Sequence, residues 1–429
     1  MKILIISIGT RGDVEPFLAV GKILQDEGHD VYCAVPEQYG QHVLDSNLGF
    51  LSLGPEFMEI VHDPDGRRVL EGGGSWISRG FSLVRHVQKH RKNHENLLRL
   101  QCEYADRIQP DRILFSGLAY CPYIWEFQHK YKSILLLPVP NILYPSEQYS
   151  HIIFNSDWGP TLNKFSYSIN NYILAMEINR SAKILRAPIP HSTRYISRKL
   201  LSLKTIYTIS PSLSPPVPFP WAKILGYYGR DKSTSWKPPE DLVRFIEKNK
   251  KPLLITFGSM VNRNPLRYTR IIINTLKKYN IPAIINTAAG GLARIHGTNT
   301  DLIHYVSEIP YDWILPKVYG IIHHGGSGTL HTGLKHGCAT LVIPHLFDQF
   351  MWNSIVSRNG LGPKGIKLSK ISEKKLSPII LDLYRNPAYK DNALRISAQM
   401  KSENQKSELV RFIIEEDALG DLPGQTGTD

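Results

Sequence analysis

Five prolines fall within eleven residues between Ser210 and Pro220, at positions 211, 215, 216, 218 and 220. Proline lacks the N–H and fixes φ, so this stretch is neither a helix nor a central strand. It reads as an extended linker over residues 211–235, dividing 429 residues into two lengths that each suit one hydrophobic core.

On both sides of it, continuous apolar runs alternate with amphipathic segments. Before it come residues 2–8, an amphipathic stretch carrying Phe17, Leu18, Val20, Ile23 and Leu24, a stop at Gly28, and Val31–Val35. Residues 112–116 and 133–138 are further buried-strand candidates. After it come 253–257, a helix over 264–279, then 283–286, 302–306, 320–323 and 340–344. Runs apolar on every residue, separated by helices, indicate parallel strands covered on both faces. The expectation is an α/β protein with an N-terminal domain over 1–210, a C-terminal domain over 236–405, and a final helix and tail over 406–429 that could cross back.

Four dispersed cysteines without a C-x-x-C pair argue against a disulfide framework or a zinc site and fit a reducing compartment. No apolar run reaches the ~18 residues of a membrane span. The first apolar stretch is broken by Gly9, Arg11 and Asp13, so it reads as a strand rather than a signal peptide, and the expected location is cytoplasmic. The net charge of +13, about +10 of it beyond residue 215, asks for an anionic partner. No basic tract interleaves with aromatic residues as in RNA binders, so nucleic acid is not expected. A basic amphipathic helix is expected over 79–92; it is a solvated surface or an element that meets an anionic membrane.

The chemistry concentrates at residues 323–349. A strand ending at His323 runs into His324-Gly325-Gly326-Ser327-Gly328-Thr329 and then a helix closed by Gly337. Three glycines let the backbone approach a ligand closely, and the helix start offers free N–H groups and a dipole to a phosphate. Ser327, Thr329 and His324 supply further donors. There is no Walker-type lysine and no acid placed for Mg²⁺, so ATP fits poorly. The next strand brings Asp348 and Gln349 to the same sheet edge, where a carboxylate beside an amide suits the vicinal hydroxyls of a sugar.

These residues, the Gly360-x-Gly362 that follows, Ile309–Pro316, Gly9-Thr10-Arg11-Gly12-Asp13-Val14-Glu15-Pro16, Gly226-Tyr227-Tyr228, Pro238-Pro239 and Phe257–Met260 together resemble glycosyltransferase family 1. The pattern is most similar to its sterol glucosyltransferases and glycopeptide-antibiotic glycosyltransferases, from residue 1 to about 405. The resemblance implies the GT-B fold, two Rossmann-like domains facing across a cleft. It implies an inverting, metal-independent transfer of a hexose from UDP-glucose, or another UDP- or dTDP-sugar, to a hydroxyl of a lipophilic acceptor, with no cofactor.

Carried over residue by residue, His324, Gly326, Ser327, Gly328, Thr329 and Ser259 would contact the diphosphate, with Gly12 among the donor contacts. Asp348 and Gln349 would hold the sugar. The position where plant relatives stack an aromatic ring on uracil falls at Val306, so the base would be held by backbone. The ribose-binding Glu maps to Thr332, which leaves UDP and dTDP both open. Asp13 would be the catalytic base, with Glu15 as substitute; local pattern alone favours Asp13 as an N-cap of a helix beginning at Val14, and the two roles are not exclusive. Trp313 reads as core packing. Two alternatives stand beside this reading: a GT-B nucleotide-sugar epimerase, and a non-catalytic nucleotide-sugar-binding protein. A dinucleotide dehydrogenase fails for want of G-x-G-x-x-G.

Overall fold

The computed structural model describes residues 1–55, 91–140, 142–154, 157–190, 192–214, 216–230, 236–297 and 301–415. In the first half the elements run β1 (Lys2–Ile6), α1 (Arg11–Asp26), β2 (Asp30–Val35), α2 (Gly40–Leu44), β3 (Gly49–Ser52), α3 (Arg91–Ile108), β4 (Arg112–Phe115), α4 (Cys121–Glu126), β5 (Ser133–Leu137), α5 (Pro160–Leu185), α6 (Thr193–Leu200), β6 (Thr205–Tyr207) and β7 (Ala222–Ile224). The second half continues with α7 (Glu240–Lys248), β8 (Leu253–Thr256), α8 (Pro265–Lys278), β9 (Ala283–Asn286), β10 (Ile303–Val306), α9 (Tyr311–Ile314), β11 (Gly320–His323), α10 (Ser327–Lys335), β12 (Ala339–Val342), α11 (Asp348–Arg358), α12 (Glu373–Arg385), α13 (Pro387–Ser402) and α14 (Lys406–Ile414).

Two sheets result, ordered β3-β2-β1-β4-β5-β6-β7 and β10-β9-β8-β11-β12, with parallel pairing throughout. The apolar runs are central strands because both faces are covered; every residue of β4, β5, β8, β9, β11 and β12 is buried. Strand order reverses between β1 and β4 in one sheet and between β8 and β11 in the other. Crevices at the carboxyl ends of strands open at such switch points.

Three strands were not among the sequence candidates: Gly49–Ser52, Thr205–Tyr207 and Ala222–Ile224. The last lies inside the stretch read as linker. It pairs with β6, so residues 222–224 extend the first sheet. The Pro-rich part before it contributes a 3-10 turn over Pro211–Leu213. Helix α14 crosses back: Leu409, Phe412 and Ile413 are buried with Ile3, Ile5 and Phe17 of the first core. Arg112 binds it by donating to the carbonyls of Ile413 (3.1 Å) and Ile414 (2.9 Å).

The expectation of unpaired cysteines is corrected at one place. Cys102 on α3 and Cys121 on α4 form a disulfide, with Cα atoms 5.7 Å apart. Their separation of 19 residues gives no hint of it; the two helices are brought side by side by the sheet they cover. Cys33 and Cys338 are free and buried. Apart from its last two residues, the basic segment 79–92 lies outside the described residues. Among the described residues no helix is long and apolar enough to cross a membrane.

The halves are joined by packing as well as by chain. Leu330 and Leu334 of α10 and Met351, Trp352 and Ile355 of α11 belong to the same buried cluster as Tyr207, Ile209 and Leu213 of the first half. Burial of several large side chains across the seam, each contributing ~1.5–3 kcal/mol, sets the second sheet's site edge against the first domain.

Candidate active site

In the first domain the site begins at the turn after β1. Thr10 caps α1, and Asp13 lies in the first helical turn rather than at the N-cap expected from pattern. Its Oδ2 accepts from the Thr10 backbone N–H (2.7 Å) and the Thr10 hydroxyl (2.9 Å). A Cβ at Gly9 would collide with the Asp13 side chain, so glycine is required where the turn folds over the carboxylate. Burial pushes the Asp13 carboxyl up, and the two Thr10 bonds only partly oppose it. Gly12, in the same turn, is exposed, and a Cβ there would meet Thr10 Oγ1 at an ordinary 3.9 Å. Glu15, the substitute base, is committed elsewhere: it pairs with Arg11 (3.1 Å) and with Arg230 (2.8 Å), tying α1 to the segment that leaves the first domain.

In the second domain the turn after β11 is built of glycine for identifiable reasons. Gly325 has φ +100°, and a Cβ there would approach Val342 Cγ1 to 2.7 Å. Gly326 is the N-cap of α10, which carries no side-chain cap and no acidic residue in its first turn. The first N–H groups of the helix, at Ser327, Gly328 and Thr329, therefore point outward with no intrahelical acceptor.

The structure revises the parts played by three side chains of this motif. His324 is enclosed: a Cβ at Gly258 would sit 2.8 Å from its Cε1, and one at Gly326 2.5 Å from its Nε2. Burial, with His323 and His345 nearby, holds its pKa well below the ordinary histidine value, so it presents a neutral ring dipole and no charge. Its Nδ1 is buried without a protein partner among the described residues. Ser327 donates its hydroxyl to the carbonyl of Pro138 in the first domain (2.7 Å), not toward the helix start. Gln349 is buried beneath its loop, with Oε1 accepting from the backbone N–H groups of His345 (2.7 Å) and Leu346 (3.1 Å). Partners distant in sequence or buried in the loop decide these orientations, which spacing does not show.

Gln349 has a purpose in that place. Phe347, the residue before α11, sits at φ +44° and ψ −126°, a backbone region rarely adopted by L-residues. Such strain costs roughly 1–3 kcal/mol and persists where neighbours over-determine it. The Gln349 amide does so, and the turn delivers Asp348 to the cleft. Burial first, and then the Asp13 carboxylate across the cleft, push the Asp348 carboxyl up to about 7. One acid from each domain thus faces the same cleft, close enough for the Asp13 charge to act on Asp348.

The remaining expected residues are placed less evenly. Ser259 is exposed on the loop after β8, at the same sheet edge, beside Gly258 with φ +57°. Thr329 is half-buried, and its hydroxyl meets that of Tyr311, which also contacts Thr256 Oγ1 at 3.1 Å. Val306 faces the second core, and its carbonyl accepts from both the N–H (2.9 Å) and the hydroxyl (3.2 Å) of Thr287. That leaves its backbone oxygen occupied by protein. Trp313 packs edge-on against Trp236, with Lys317 over its ring.

His331, which sequence reading passed over, and Tyr227, which it named only as part of a motif, join the domains here. His331 is fully buried, accepts at Nε2 from the Ser210 N–H (3.1 Å), and donates from Nδ1 to the Ser327 carbonyl (2.7 Å). Burial lowers its pKa to about 4, which keeps it neutral in that bridging tautomer. Tyr227 stacks on it at 4.5 Å. The signal for His331 was the spacing Ser327–His331, one helical turn apart on one face.

Comparison with known proteins agrees with this geometry. Residues 3–98 match the glycosyltransferase family 28 N-terminal domain, and residues 282–416 match the erythromycin biosynthesis protein CIII-like C-terminal domain. The chain is 28% identical to a sterol 3-beta-glucosyltransferase of Arabidopsis thaliana over 94% of its own length and 66% of the relative's. It is also 28% identical to one of Komagataella phaffii over 97% and 34%. It thus spans about two thirds of the plant relative and about one third of the yeast one. Among solved structures it resembles the glycosyltransferase of kitacinnamycin (TM-score 0.69, 15% identity, 95% of this chain and 97% of that one). It also resembles the glycosyltransferase VinC, solved with dTDP (TM-score 0.64, 16% identity, 96% and 99%). These likenesses speak to fold, and the fold is two parallel-sheet domains closing on one cleft. With one family match in each half, in order, and the motif residues at the facing edges, the chain is similar to glycosyltransferases along both halves and has the GT-B architecture.

Proposed function

We propose that the protein is an inverting transferase that moves a hexose, with UDP-glucose the first donor to try, to a hydroxyl of a lipophilic acceptor. The carrying observation is the pair Asp13 and Asp348, one from each domain, beside a helix start that bears no carboxylate of its own. Asp13 is the general base. Both Thr10 bonds fall on Oδ2, so Oδ1 is the oxygen that receives the acceptor's proton as its hydroxyl oxygen bonds to the anomeric carbon. The bond from that carbon to the diphosphate breaks on the opposite face, and the leaving charge meets the N–H groups and dipole of α10 without needing a metal. Neutral His324 adds a ring dipole behind the turn. Asp348 addresses the sugar hydroxyls, and Gln349 supports the loop that presents it.

The sterol 3-beta-glucosyltransferases among the relatives favour a sterol-like acceptor and a glucose donor. VinC's nucleotide keeps a dTDP-sugar as the second donor to test. The decisive measurement is a donor and acceptor panel read by mass spectrometry, together with nucleotide release with and without acceptor. A glycosylated acceptor with matching nucleotide release is expected. A sugar altered without acceptor points instead to an epimerase, and no release under any condition to a binding protein.

A further inference from the structure

Helix α5 is apolar on its solvent side as well as in its buried contacts. Its buried side mixes Tyr167, Ala175, Ile178 and Ala182 with Asn163, Ser166, Asn171 and Asn179, which bond to the carbonyls of Glu147 and Leu143, the His151 N–H and the Thr193 hydroxyl. Its outer side carries Leu162, Phe165, Ile169, Tyr172, Ile173 and Met176, exposed by 37–59%. Steps of three and four residues put these six on one stripe, roughly 20 Å long at 1.5 Å per residue. The same stripe continues into exposed Arg180 and Lys183. The neighbouring α6, held to α5 by the Asn179–Thr193 bond, adds exposed Arg194 and Arg198. Glu177 is the acid on this end of the face, and it is paired with Arg180 at 3.7 Å.

We propose that this face of α5 lies on a lipid bilayer surface containing anionic lipid. An apolar stripe with aromatic rings, ending in clustered cations, is complementary to hydrocarbon edged by anionic headgroups. A second copy of the chain fits poorly. A two-fold contact through the stripe sets the cationic end either against itself or against the apolar end of its mate, and neutralises it in neither case. A helix that carries polar groups on both its buried side and one end lies on the surface and does not span it. The proposal goes beyond the transfer reaction and does not depend on which acceptor is used.

The test is co-sedimentation of the full chain with vesicles of phosphatidylcholine alone and of phosphatidylcholine with about one third phosphatidylserine, at low and high salt. The chain is expected to partition to the anionic vesicles, less so at high salt. Phe165→Glu with Ile169→Glu should lower that partition at least ~10-fold, while nucleotide affinity and melting temperature stay at wild-type values. Arg180→Gln with Lys183→Gln, which leaves the stripe intact, should remove most of the preference for anionic over neutral vesicles. The proposal is overturned if the wild type ignores both vesicles, or if either double variant binds as the wild type does. It is also overturned if Phe165→Glu with Ile169→Glu dissociates a dimer in sedimentation equilibrium, or if neutralising Lys89, Arg91 and Lys92 alone abolishes binding. Turnover of a detergent-dispersed acceptor should be unchanged in the stripe variants. Vesicle binding by a chain that turns over no donor–acceptor pair would sink the transferase reading and leave this one standing.

Discussion

The turns after β1 and β11 have the same plan and opposite electrostatics. Each leaves a central strand at a switch point, and each opens a helix with glycine at its second position, Gly12 and Gly328. At the third position one has Asp13 and the other Thr329. In α1 the carboxylate folds back on Thr10 and partly answers its own helix dipole. In α10 the cap is glycine, the first turn bears no acid, and the positive end of the helix is unanswered. A helix that is to hold a diphosphate must not carry its own anion, and a helix that is to hold a base near the cleft can. Under the proposed transfer, one β–α turn would serve both ends of the reaction through the residues at its cap and third position, Thr10 and Asp13 against Gly326 and Thr329.

The largest expected effect tests the carboxylate. Asp13→Ala should reduce turnover at least ~100-fold while nucleotide affinity, measured by calorimetry, stays constant. Near-normal turnover would remove Asp13 from the chemistry and with it half of the contrast. Next, Thr329→Asp installs the first turn's acid on the second. Nucleotide diphosphate affinity should fall about 10-fold, from the lost dipole attraction and the added repulsion. An unchanged dissociation constant means that α10 does not carry the phosphates.

A smaller effect concerns Asp348. Its folded carboxyl titrates at about 7, against an ordinary 3.8, so below 3.8 it is protonated folded or unfolded and costs nothing. Between those values only the unfolded form ionises, stability falls as pH rises, and above 7 the penalty is full. Asp348→Asn should therefore stabilise the protein at pH 8 by on the order of 1 kcal/mol, with the gain vanishing near pH 4. Denaturation midpoints at the two pH values check it, and a gain independent of pH would show that the buried charge is not its source.

Much of the architecture was legible because parallel strands buried on both faces announce themselves as unbroken apolar runs, as at Leu253–Thr256 and Gly320–His323. Thr205–Tyr207 and Ala222–Ile224 are three residues each, too short for periodicity, and the second stands beside prolines that suggest a linker. In the site, backbone features were readable locally: glycine at 325 and 326 follows from close approach and positive φ. Side-chain roles were not. Ser327 turns to Pro138, 189 residues away. Gln349 turns to its own loop, and Glu15 to Arg230. Cys102 and Cys121 meet only because two helices cover one sheet. Identity and spacing name the atoms that arrive at an edge, while long-range packing decides which of them remain available.

The return of α14 to the first domain has a mechanical consequence. The chain leaves the first sheet after β7 and comes back between Ser402 and Lys406, so two covalent strands cross the seam. They run side by side: a Cβ at Gly226 would lie 3.3 Å from Gln405 Oε1, and Glu403 Oε1 takes the hydroxyl and N–H of Ser212 at 2.7 and 3.2 Å. Two adjacent tethers act as one pin. They tie the half that carries Asp13 to the half that carries the glycine turn twice at one place on the seam, so neither connection can shift there without the other.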